Sequence, residues 1–252
     1  MLLSLLLAQG GLGVPPCCVG DFMANPLYVV VGGSSSLGVI VSSGLYDCDR
    51  RVLCSYNHNP VEFPPGVKSL RCDVENYDDC LQLAALCSSL SKELYVVYLP
   101  GISKSSMTHK TTPSDWEKVI KTNLTGAFHI TRAFLPAMRE SGYGRFVYAG
   151  SVTGRLGSIG TVAYSASKEG LKGLMRVVAS ENAAKGITAN LLEIGYMSTG
   201  LTDSIPNQVM ERILTGIPEG KLGDPQELAS ILIMLEATSY VTGSVIAVSG
   251  GL

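Results

Sequence analysis

Residues 27–38 read LYVVVGGSSSLG, in which a β-branched run leads into a turn of glycines and serines. The run predicts a strand, and the apolar pattern over Leu37–Tyr46 predicts the helix that follows it. Glycine lets such a turn bend tightly, while the start of the helix offers free N–H groups to a pyrophosphate. Because ordinary strand–helix turns also contain glycine, the meaning of this stretch depends on the rest of the chain.

The alternation of short apolar strands with helices continues to the end of the chain. Strands are predicted at Leu27–Val31, Arg51–Ser55, Val67–Cys72, Leu94–Leu99, Arg145–Ala149, Ile187–Leu192 and Ser244–Val248. Helices are predicted at Leu37–Tyr46, Tyr77–Leu90, Ser114–Thr122, Ala127–Glu140, Ala163–Ala184 and Pro225–Leu235. Right-handed crossovers between buried parallel strands place helices on both faces. We therefore expect one α/β domain over residues 26–252, a doubly wound parallel sheet of about seven strands with ligands at the strand carboxyl ends.

A second stretch, SVTGRLGSIGTVAYSASK at residues 151–168, contains candidate chemistry. Tyr164 and Lys168 are four residues apart, so their side chains share one face of a helix. A fixed positive charge nearby predicts a lowered pKa for the Tyr164 phenol, which could then exchange a proton near neutral pH. The Ser151 hydroxyl, arriving from a strand end, could hold a carbonyl oxygen beside it. Taken alone, a Tyr-x-x-x-Lys pair is more often surface decoration.

In their order and spacing, these motifs resemble the short-chain dehydrogenase/reductase family, and within it the 3-oxoacyl-(acyl carrier protein) reductases. The resemblance covers Leu27–Leu252 and implies a Rossmann-type fold. Besides the two stretches above, it rests on Cys72–Val74, Lys121–Gly126, Gly186–Asn190, Tyr240–Gly243 and Gly250–Leu252.

The resemblance implies a role for each residue of the candidate site. Tyr164 would protonate the carbonyl oxygen during reduction, and Lys168 would lower the tyrosine pKa and bind the nicotinamide ribose. Ser151 would orient the substrate oxygen, and Asn123 would hold a water near Lys168. The residues expected to contact the dinucleotide are Gly32, Ser34, Ser35, Leu37, Gly38, Asn57, Asp73, Val74, Gly101, Tyr164, Lys168 and Thr199.

The choice of coenzyme depends on the segment after the second strand, Cys54–His58. An acidic residue there would bind a ribose 2′-hydroxyl and repel a 2′-phosphate. This segment has no carboxylate, and Ser34, Ser35 or Asn57 could bond the phosphate. The sequence therefore favours NADPH and leaves NADH open.

Some positions depart from the family pattern. Ser36 replaces the middle glycine of the nucleotide turn, and Tyr98–Gly101 replaces the usual Asn-Asn-Ala-Gly. Ile194 stands where the family has proline, and Ser249 replaces an aspartate. These departures bear on cofactor affinity and substrate more than on the fold.

The substrate loop is predicted at Tyr196–Pro218, between the sixth strand and the last long helix. Its apolar residues suit an acyl chain, although any lid helix needs such residues to pack: Leu201, Ile205, Val209, Met210, Ile213 and Leu214. The resemblance places Arg145 and Lys185 at a rim where an acyl carrier protein could dock. It also likens Tyr240–Leu252 to the subunit contacts of tetrameric relatives, so a homotetramer is expected.

Composition excludes several classes of partner. A formal charge of −2 over 252 residues gives no reason to expect a nucleic acid or a membrane. Seven cysteines lack a Cys-x-x-Cys spacing, and the three histidines lack ligand-like neighbours. Reduced thiols in a cytoplasmic protein are favoured over a disulfide framework or a metal site.

Residues 1–25 form an N-terminal extension in this interpretation. Met1–Ala8 is apolar, but it is too short to span a bilayer and lacks the basic start of a secretory signal. Met23 directly precedes the first strand, so we hypothesise that it marks the functional start. The alternative is a dispensable N-terminal arm.

Three functions remain open at this point. The first is NADPH-dependent reduction of a 3-oxoacyl thioester, carried by an acyl carrier protein, to the 3-hydroxyacyl product. The second is oxidation or reduction of another ketone or secondary alcohol, including polyketide-like or cyclic substrates. The third is a catalytically weak subunit of a hetero-oligomer, suggested by Ser36 and Tyr98–Gly101.

Overall fold

The computed structural model describes residues 26–200, 202 and 205–252. The predicted N-terminal extension, the Met23 start and Leu201 lie outside these residues. The described strands form one seven-stranded parallel sheet in the order β3-β2-β1-β4-β5-β6-β7. The strands are β1 Leu27–Val31, β2 Arg51–Tyr56, β3 Lys68–Arg71, β4 Leu94–Tyr98, β5 Gly144–Ala149, β6 Ile187–Ile194 and β7 Val245–Val248.

Helices connect most successive strands and cover both faces of the sheet, whereas residues 57–67 join β2 to β3 without a helix. They are α1 Ser36–Asp47, α2 Tyr77–Leu90, α3 Pro113–Ile120, α4 Gly126–Ser141, α5 Val152–Leu156, α6 Val162–Asn182, α7 Asn207–Gly216 and α8 Glu227–Glu236. Single 3₁₀ turns lie at Thr108–Lys110 and Ala183–Lys185. A π turn at Lys121–Thr125 joins α3 to α4.

Side chains point alternately to the two faces of the sheet along the buried strands, and so they build two core layers. In β1, Val29 and Val31 face one layer while Tyr28 and Val30 face the other, as the two-residue period of a strand requires. The first layer is filled from α2, α4 and α6, and the second from α1 and α8. The predicted doubly wound sheet with helices on both faces is confirmed.

The order of the strands positions the site. Strand β1 has β2 on one side and β4 on the other, so the chain reverses direction across the sheet between β1 and β4. In such a sheet, a crevice opens beyond the carboxyl ends of the strands at this reversal. The turn after β1 and the loop after β4 therefore lie at the same edge.

Several chemical properties can be stated for the described part of the chain. Five cysteines carry free thiols, at positions 48, 54, 72, 80 and 87. No cluster of three or more His, Cys, Asp or Glu side chains there could hold a metal ion. None of the helices described is both long and apolar enough to cross a membrane.

Candidate active site

The turn after β1 is tied to the first turn of α1. Ser35 caps the helix: its hydroxyl accepts a hydrogen bond from the Gly38 amide at 3.0 Å and donates one to the Gly32 carbonyl at 2.9 Å. Gly32 has φ +74°, a left-handed conformation that favours glycine. A Cβ on Gly38 would lie 2.5 Å from the Gly32 oxygen, so the helix can approach the turn this closely only with glycine.

A cleft of about 670 Å³ opens above this turn at the carboxyl edge of the sheet. Most of the predicted site residues line it, although the first and the last of them are 167 positions apart in the chain. Those predicted residues are Gly32, Ser34, Ser35, Leu37, Asn57, Asp73, Val74, Gly101, Ser151, Tyr164, Lys168 and Thr199. Gly38 and Asn123 are buried behind the cleft wall.

The cleft suits a nicotinamide dinucleotide. Gly32, Ser34 and Ser35 line the cleft at the start of α1, where free N–H groups favour an anion such as a pyrophosphate. At the far end, the buried Asn57 Oδ1 has no hydrogen-bond partner among the described residues. A buried polar atom without a partner usually signals a ligand or water, and Asn57 lines the cleft.

The lysine of the candidate pair is almost fully buried. Lys168 is 3% exposed, and its ammonium donates to the Ala149 carbonyl at 2.7 Å. The Nζ lies 5.6 Å from the centre of the Tyr164 ring. Gly101 packs against it, since a Cβ there would lie 3.1 Å from Nζ. Burial lowers the pKa of Lys168 to about 8, so the side chain can exchange a proton near neutral pH.

The phenol does not have the lowered pKa that the sequence predicts. Burial raises the pKa of Tyr164, and an interaction with the Ser151 hydroxyl opposes this only in part. Lys168 is directed at the Ala149 carbonyl and is itself desolvated, so it does not reverse the effect of burial. That prediction was wrong for this structure, because desolvation of the phenol is the largest influence on its pKa.

Ser151 follows β5 and caps α5. Its hydroxyl accepts a hydrogen bond from the Thr153 amide at 3.3 Å and lies 2.9 Å from the Thr153 hydroxyl. The helix that carries Tyr164 is close, because Ser165 donates to the Thr153 carbonyl at 3.2 Å. Ser151, Tyr164 and Lys168 therefore meet in one part of the cleft, as predicted.

Asn123 is placed differently from the prediction. It lies in the π turn with no exposed surface, and both the oxygen and the nitrogen of its side-chain amide are hydrogen-bonded. Its Oδ1 accepts from the Ile102 amide at 2.9 Å, while Nδ2 donates to the Ile102 carbonyl at 3.0 Å and the Ser167 hydroxyl at 2.9 Å. The side chain joins the loop after β4 to α6, and it does not reach the cleft to hold a water.

The departures from the family pattern have local compensations. Ser36 is the first residue of α1 and is exposed, so its side chain fits the helix start. The Tyr98 hydroxyl donates to the Thr122 carbonyl at 2.5 Å, which braces the end of β4 against the π turn. Pro100 packs over Gly32, where a Cβ would approach its ring to 3.0 Å.

Sequence reasoning missed part of the cleft wall near the expected adenine position. Glu75 accepts from Lys118 at 2.7 Å and from the Thr122 hydroxyl at 2.5 Å, and all three line the cleft. Burial alone would raise the pKa of Glu75, but these bonds hold it below its usual value. The partners are 43 and 47 residues away, so local spacing has no signal for them. His58 and Asn59 also line this end.

Arg145 was wrongly predicted to lie on a docking rim. It is the second residue of β5, at the amino edge of the sheet and opposite the cleft, and is 6% exposed. Its guanidinium donates to the carbonyls of Gly144 and Gly186 and lies 4.4 Å from the centre of the Tyr143 ring. The guanidinium is buried and hydrogen-bonded inside the protein, so it cannot attract a carrier protein.

Fold and site together define a nicotinamide-dependent oxidoreductase of the doubly wound α/β class. A family model described as "Enoyl-(Acyl carrier protein) reductase" matches residues 47–252. The chain belongs to the short-chain dehydrogenase/reductase family, as its motifs predict.

Named proteins of this family are similar over most of the chain. An acetoacetyl-CoA reductase of Shinella zoogloeoides is 38% identical over 232 residues, which is 88% of this chain and 96% of the relative. The 3-oxoacyl-[acyl-carrier-protein] reductase MabA of Mycobacterium tuberculosis is 30% identical over 227 residues, 89% of this chain and 91% of the relative. A crystal structure from Agrobacterium tumefaciens, provisionally named a gluconate dehydrogenase, superposes with a TM-score of 0.81 at 29% identity, covering 90% of this chain and 96% of the other.

Proposed function

We propose that this protein reduces a 3-oxoacyl thioester to the 3-hydroxyacyl thioester with NADPH. The observation that carries the proposal is the meeting of Ser151, Tyr164 and Lys168 in the cleft that fits the dinucleotide. The similarity to acetoacetyl-CoA reductases and to MabA supports a thioester as the substrate class.

The chain's own residues would bind the substrate and deliver the proton. When bound, NADPH supplies the hydride that adds to the carbonyl carbon. Ser151 orients the carbonyl oxygen, and Tyr164 transfers its phenolic proton to that oxygen as negative charge develops there. Lys168 then returns a proton to the phenolate. Its pKa of about 8 suits this exchange near neutral pH.

Tyr164 is protonated at neutral pH, because burial raises the pKa of its phenol. A protonated phenol is the acid that reduction needs, and the phenolate is the base for the reverse oxidation. The protonation state therefore fits reduction, while the direction of the reaction follows from the substrate and coenzyme supplied.

We propose that the acyl chain lies against α7. Val209 on this helix is 46% exposed, and Met210, Ile213 and Leu214 are half-buried. No residue of α7 lines the cleft, so this assignment rests on the apolar composition of the loop.

The acyl group of the substrate could be carried by coenzyme A or by an acyl carrier protein. With Arg145 buried, Lys185 alone remains of the two cations predicted to face an acyl carrier protein. The similarity to acetoacetyl-CoA reductases favours a coenzyme A thioester as the first substrate to test. A carrier-protein thioester is then the comparison.

NADPH is proposed over NADH because β2 is followed by Asn57 rather than a carboxylate. A carboxylate there would repel the 2′-phosphate. Ser34 and Asn57 both line the cleft and could bond the phosphate.

The test measures NADPH oxidation with acetoacetyl-CoA, acetoacetyl carrier protein and free ketones. Tyr164→Phe should lower kcat by about 10²- to 10⁴-fold, because a general acid contributes that much, while NADPH affinity measured by fluorescence stays unchanged. Retained turnover in this variant would refute the role of Tyr164. A wild-type protein that binds no nucleotide would instead favour the catalytically weak subunit.

A second candidate is a reductase or dehydrogenase of another ketone or secondary alcohol. The structural similarity to the provisionally named gluconate dehydrogenase favours it. Activity on free ketones or polyols with none on either thioester would establish this candidate and exclude the first.

The assembly and the cellular location stay predictions. Tyr240 is fully exposed and Val245 on the edge strand β7 is 37% exposed, which supports the proposed homotetramer through residues 240–252. Sedimentation of the purified protein tests it, and a monomer would refute it. The cytoplasmic location is tested by fractionation of the source cells.

A further inference from the structure

A buried carboxylate lies directly behind the candidate active site. Glu193 is the seventh residue of β6, a strand buried along its whole length, and is 4% exposed. A carboxylate so placed is costly unless it is paired on both oxygens. The mechanism proposed above makes no use of it.

Two cations from two different helices satisfy this carboxylate. Arg155 Nε donates to Oε2 at 2.8 Å, and Lys172 Nζ donates to Oε1 at 2.9 Å. Lys172 also pairs with Glu169 at 2.7 Å. Burial alone would raise the pKa of Glu193, but the bonds from Lys172 and Arg155 hold it below its usual value, so the group is charged.

The two helices are those that carry the catalytic side chains. Arg155 is on α5, which Ser151 caps, and the helix is only five residues long. Lys172 is on α6, one turn beyond Lys168 and on the same face as Tyr164. Val152 is buried and Ser165 donates to the Thr153 carbonyl, and the remaining support of this short helix comes from Arg155.

The strand itself supports the same segment. The Gly150 amide, next to Ser151, donates to the Leu192 carbonyl at 2.8 Å, and Leu192 pairs with Ala149 in the sheet. The remaining arm of Arg155 donates to the backbone oxygen of Leu252 at 2.8 Å. Glu193 is therefore the point at which the sheet, the serine segment and the tyrosine helix are joined by charge.

We propose that Glu193 is a positioning residue: through Arg155 and Lys172, it fixes Ser151 relative to Tyr164. The inference rests on the proposed function in that Ser151 and Tyr164 act together on a carbonyl. Breaking the carboxylate's pairing releases α5 and misplaces Ser151 while leaving the dinucleotide end of the cleft intact.

The test is a double-mutant cycle with Glu193→Gln and Ser151→Ala. If Glu193 acts through Ser151, Glu193→Gln lowers kcat by about 10-fold or more in the wild-type background but by less than about 3-fold in the Ser151→Ala background. NADPH affinity stays the same in all four proteins. An equal loss in both backgrounds, or a loss that follows NADPH affinity, would overturn the proposal.

A matched control is available on the opposite edge of the sheet. Glu236 accepts from Arg50 Nε at 2.8 Å and also from the Tyr28 hydroxyl, at the amino ends of β1 and β2. Glu236→Gln removes a partly buried, doubly hydrogen-bonded charge at the amino edge of the sheet, and its kcat should stay within about 2-fold of wild type. A loss as large as that in Glu193→Gln would mean that general destabilisation explains both.

Two further measurements keep this proposal separate from the choice of substrate. Arg155→Met removes one arm only and should reproduce most of the kcat loss. Crystal structures of wild type and Glu193→Gln should show α5 and the Ser151 hydroxyl displaced from Tyr164. An unmoved Ser151 would refute the inference even if the protein reduces some other ketone, and a displaced Ser151 would support it even if acetoacetyl-CoA is not a substrate.

Discussion

Lys168 returns the proton to Tyr164 in the proposed mechanism. Because its charged side chain is buried, we expect it to lower the stability of the folded protein. The ammonium is 3% exposed and lacks a carboxylate partner among the described residues, so its pKa is about 8 against an ordinary 10.5. We expect Lys168→Met to abolish most turnover and to raise the free energy of unfolding at pH 7.

The magnitude follows from the shift in pKa. The fall in the pKa of Lys168 from 10.5 to about 8 corresponds to about 3 kcal/mol of unfavourable burial of the charged form. Methionine also loses the hydrogen bond to the Ala149 carbonyl, which contributes about 1 kcal/mol. The net gain is about 2 kcal/mol, or a rise in Tm of roughly 4–8 °C for a domain of this size.

The pH dependence of the stability difference identifies the buried lysine charge as its cause. Below about pH 8 the lysine is charged in both the folded and the unfolded protein, so the full penalty applies to wild type. Between about pH 8 and 10.5 the folded state has lost the proton that the unfolded state still binds, so wild-type stability rises with pH. Above this window the gain from methionine should vanish, leaving only the lost hydrogen bond.

Urea unfolding of both proteins without nucleotide, at pH 7, 9 and 10.5 and at one protein concentration, measures the effect. Lys172→Met serves as the control one turn along the same helix. Burial alone would lower the pKa of Lys172, but Glu169 and Glu193 raise it above its usual value, so its removal should destabilise the protein. A Lys168→Met protein that is less stable at pH 7, or a difference that does not change with pH, would refute this reasoning.

Two further predictions concern the dinucleotide end of the cleft. Asn57→Asp places a negative charge at the end of β2 and should weaken NADPH binding by about 10- to 100-fold with little effect on NADH; equal losses for both coenzymes would show that the 2′-phosphate lies elsewhere. Gly38→Ala should destabilise the nucleotide turn and weaken binding of both coenzymes, because its Cβ would lie 2.5 Å from the Gly32 oxygen. Gly173→Ala, where no described atom comes within 4 Å, should instead stabilise the helix by about 0.5–1 kcal/mol in thermal unfolding.

The sheet could be predicted from the sequence because its strands are short apolar runs with clear breaks. β1 and α2 begin and end at the predicted residues, and β4 differs by one residue at its end. Between Ser114 and Glu140, two predicted helices are joined by the π turn at Lys121–Thr125. That turn depends on the bonds of Asn123 to Ile102 and Ser167, which sequence periodicity does not contain.

The location of the site was predictable for a topological reason. Parallel strands end at one edge, so motifs that follow different strands must meet there. Ser151, Tyr164 and Asp73 were placed in this way, and all three line the cleft. The helical spacing of Tyr164 and Lys168 needed no tertiary information at all.

The sequence did not predict the environment of charged and polar groups. The predicted sixth strand stops at Leu192, but β6 continues through Glu193 because two distant cations compensate the carboxylate. Arg145 was taken as exposed and is buried, and the pKa of Tyr164 moves opposite to the prediction. In each case the outcome depends on burial and on partners far along the chain.

The Ser35 hydroxyl, bonded on both sides within the turn after β1, has a consequence for how the coenzyme enters. A loop already fixed by hydrogen bonds to Gly32 and Gly38 has little chain entropy left to lose when a dinucleotide arrives. The coenzyme should then bind without a change in the conformation of this loop. We would expect a single fast kinetic phase in stopped-flow mixing, without a slow rearrangement.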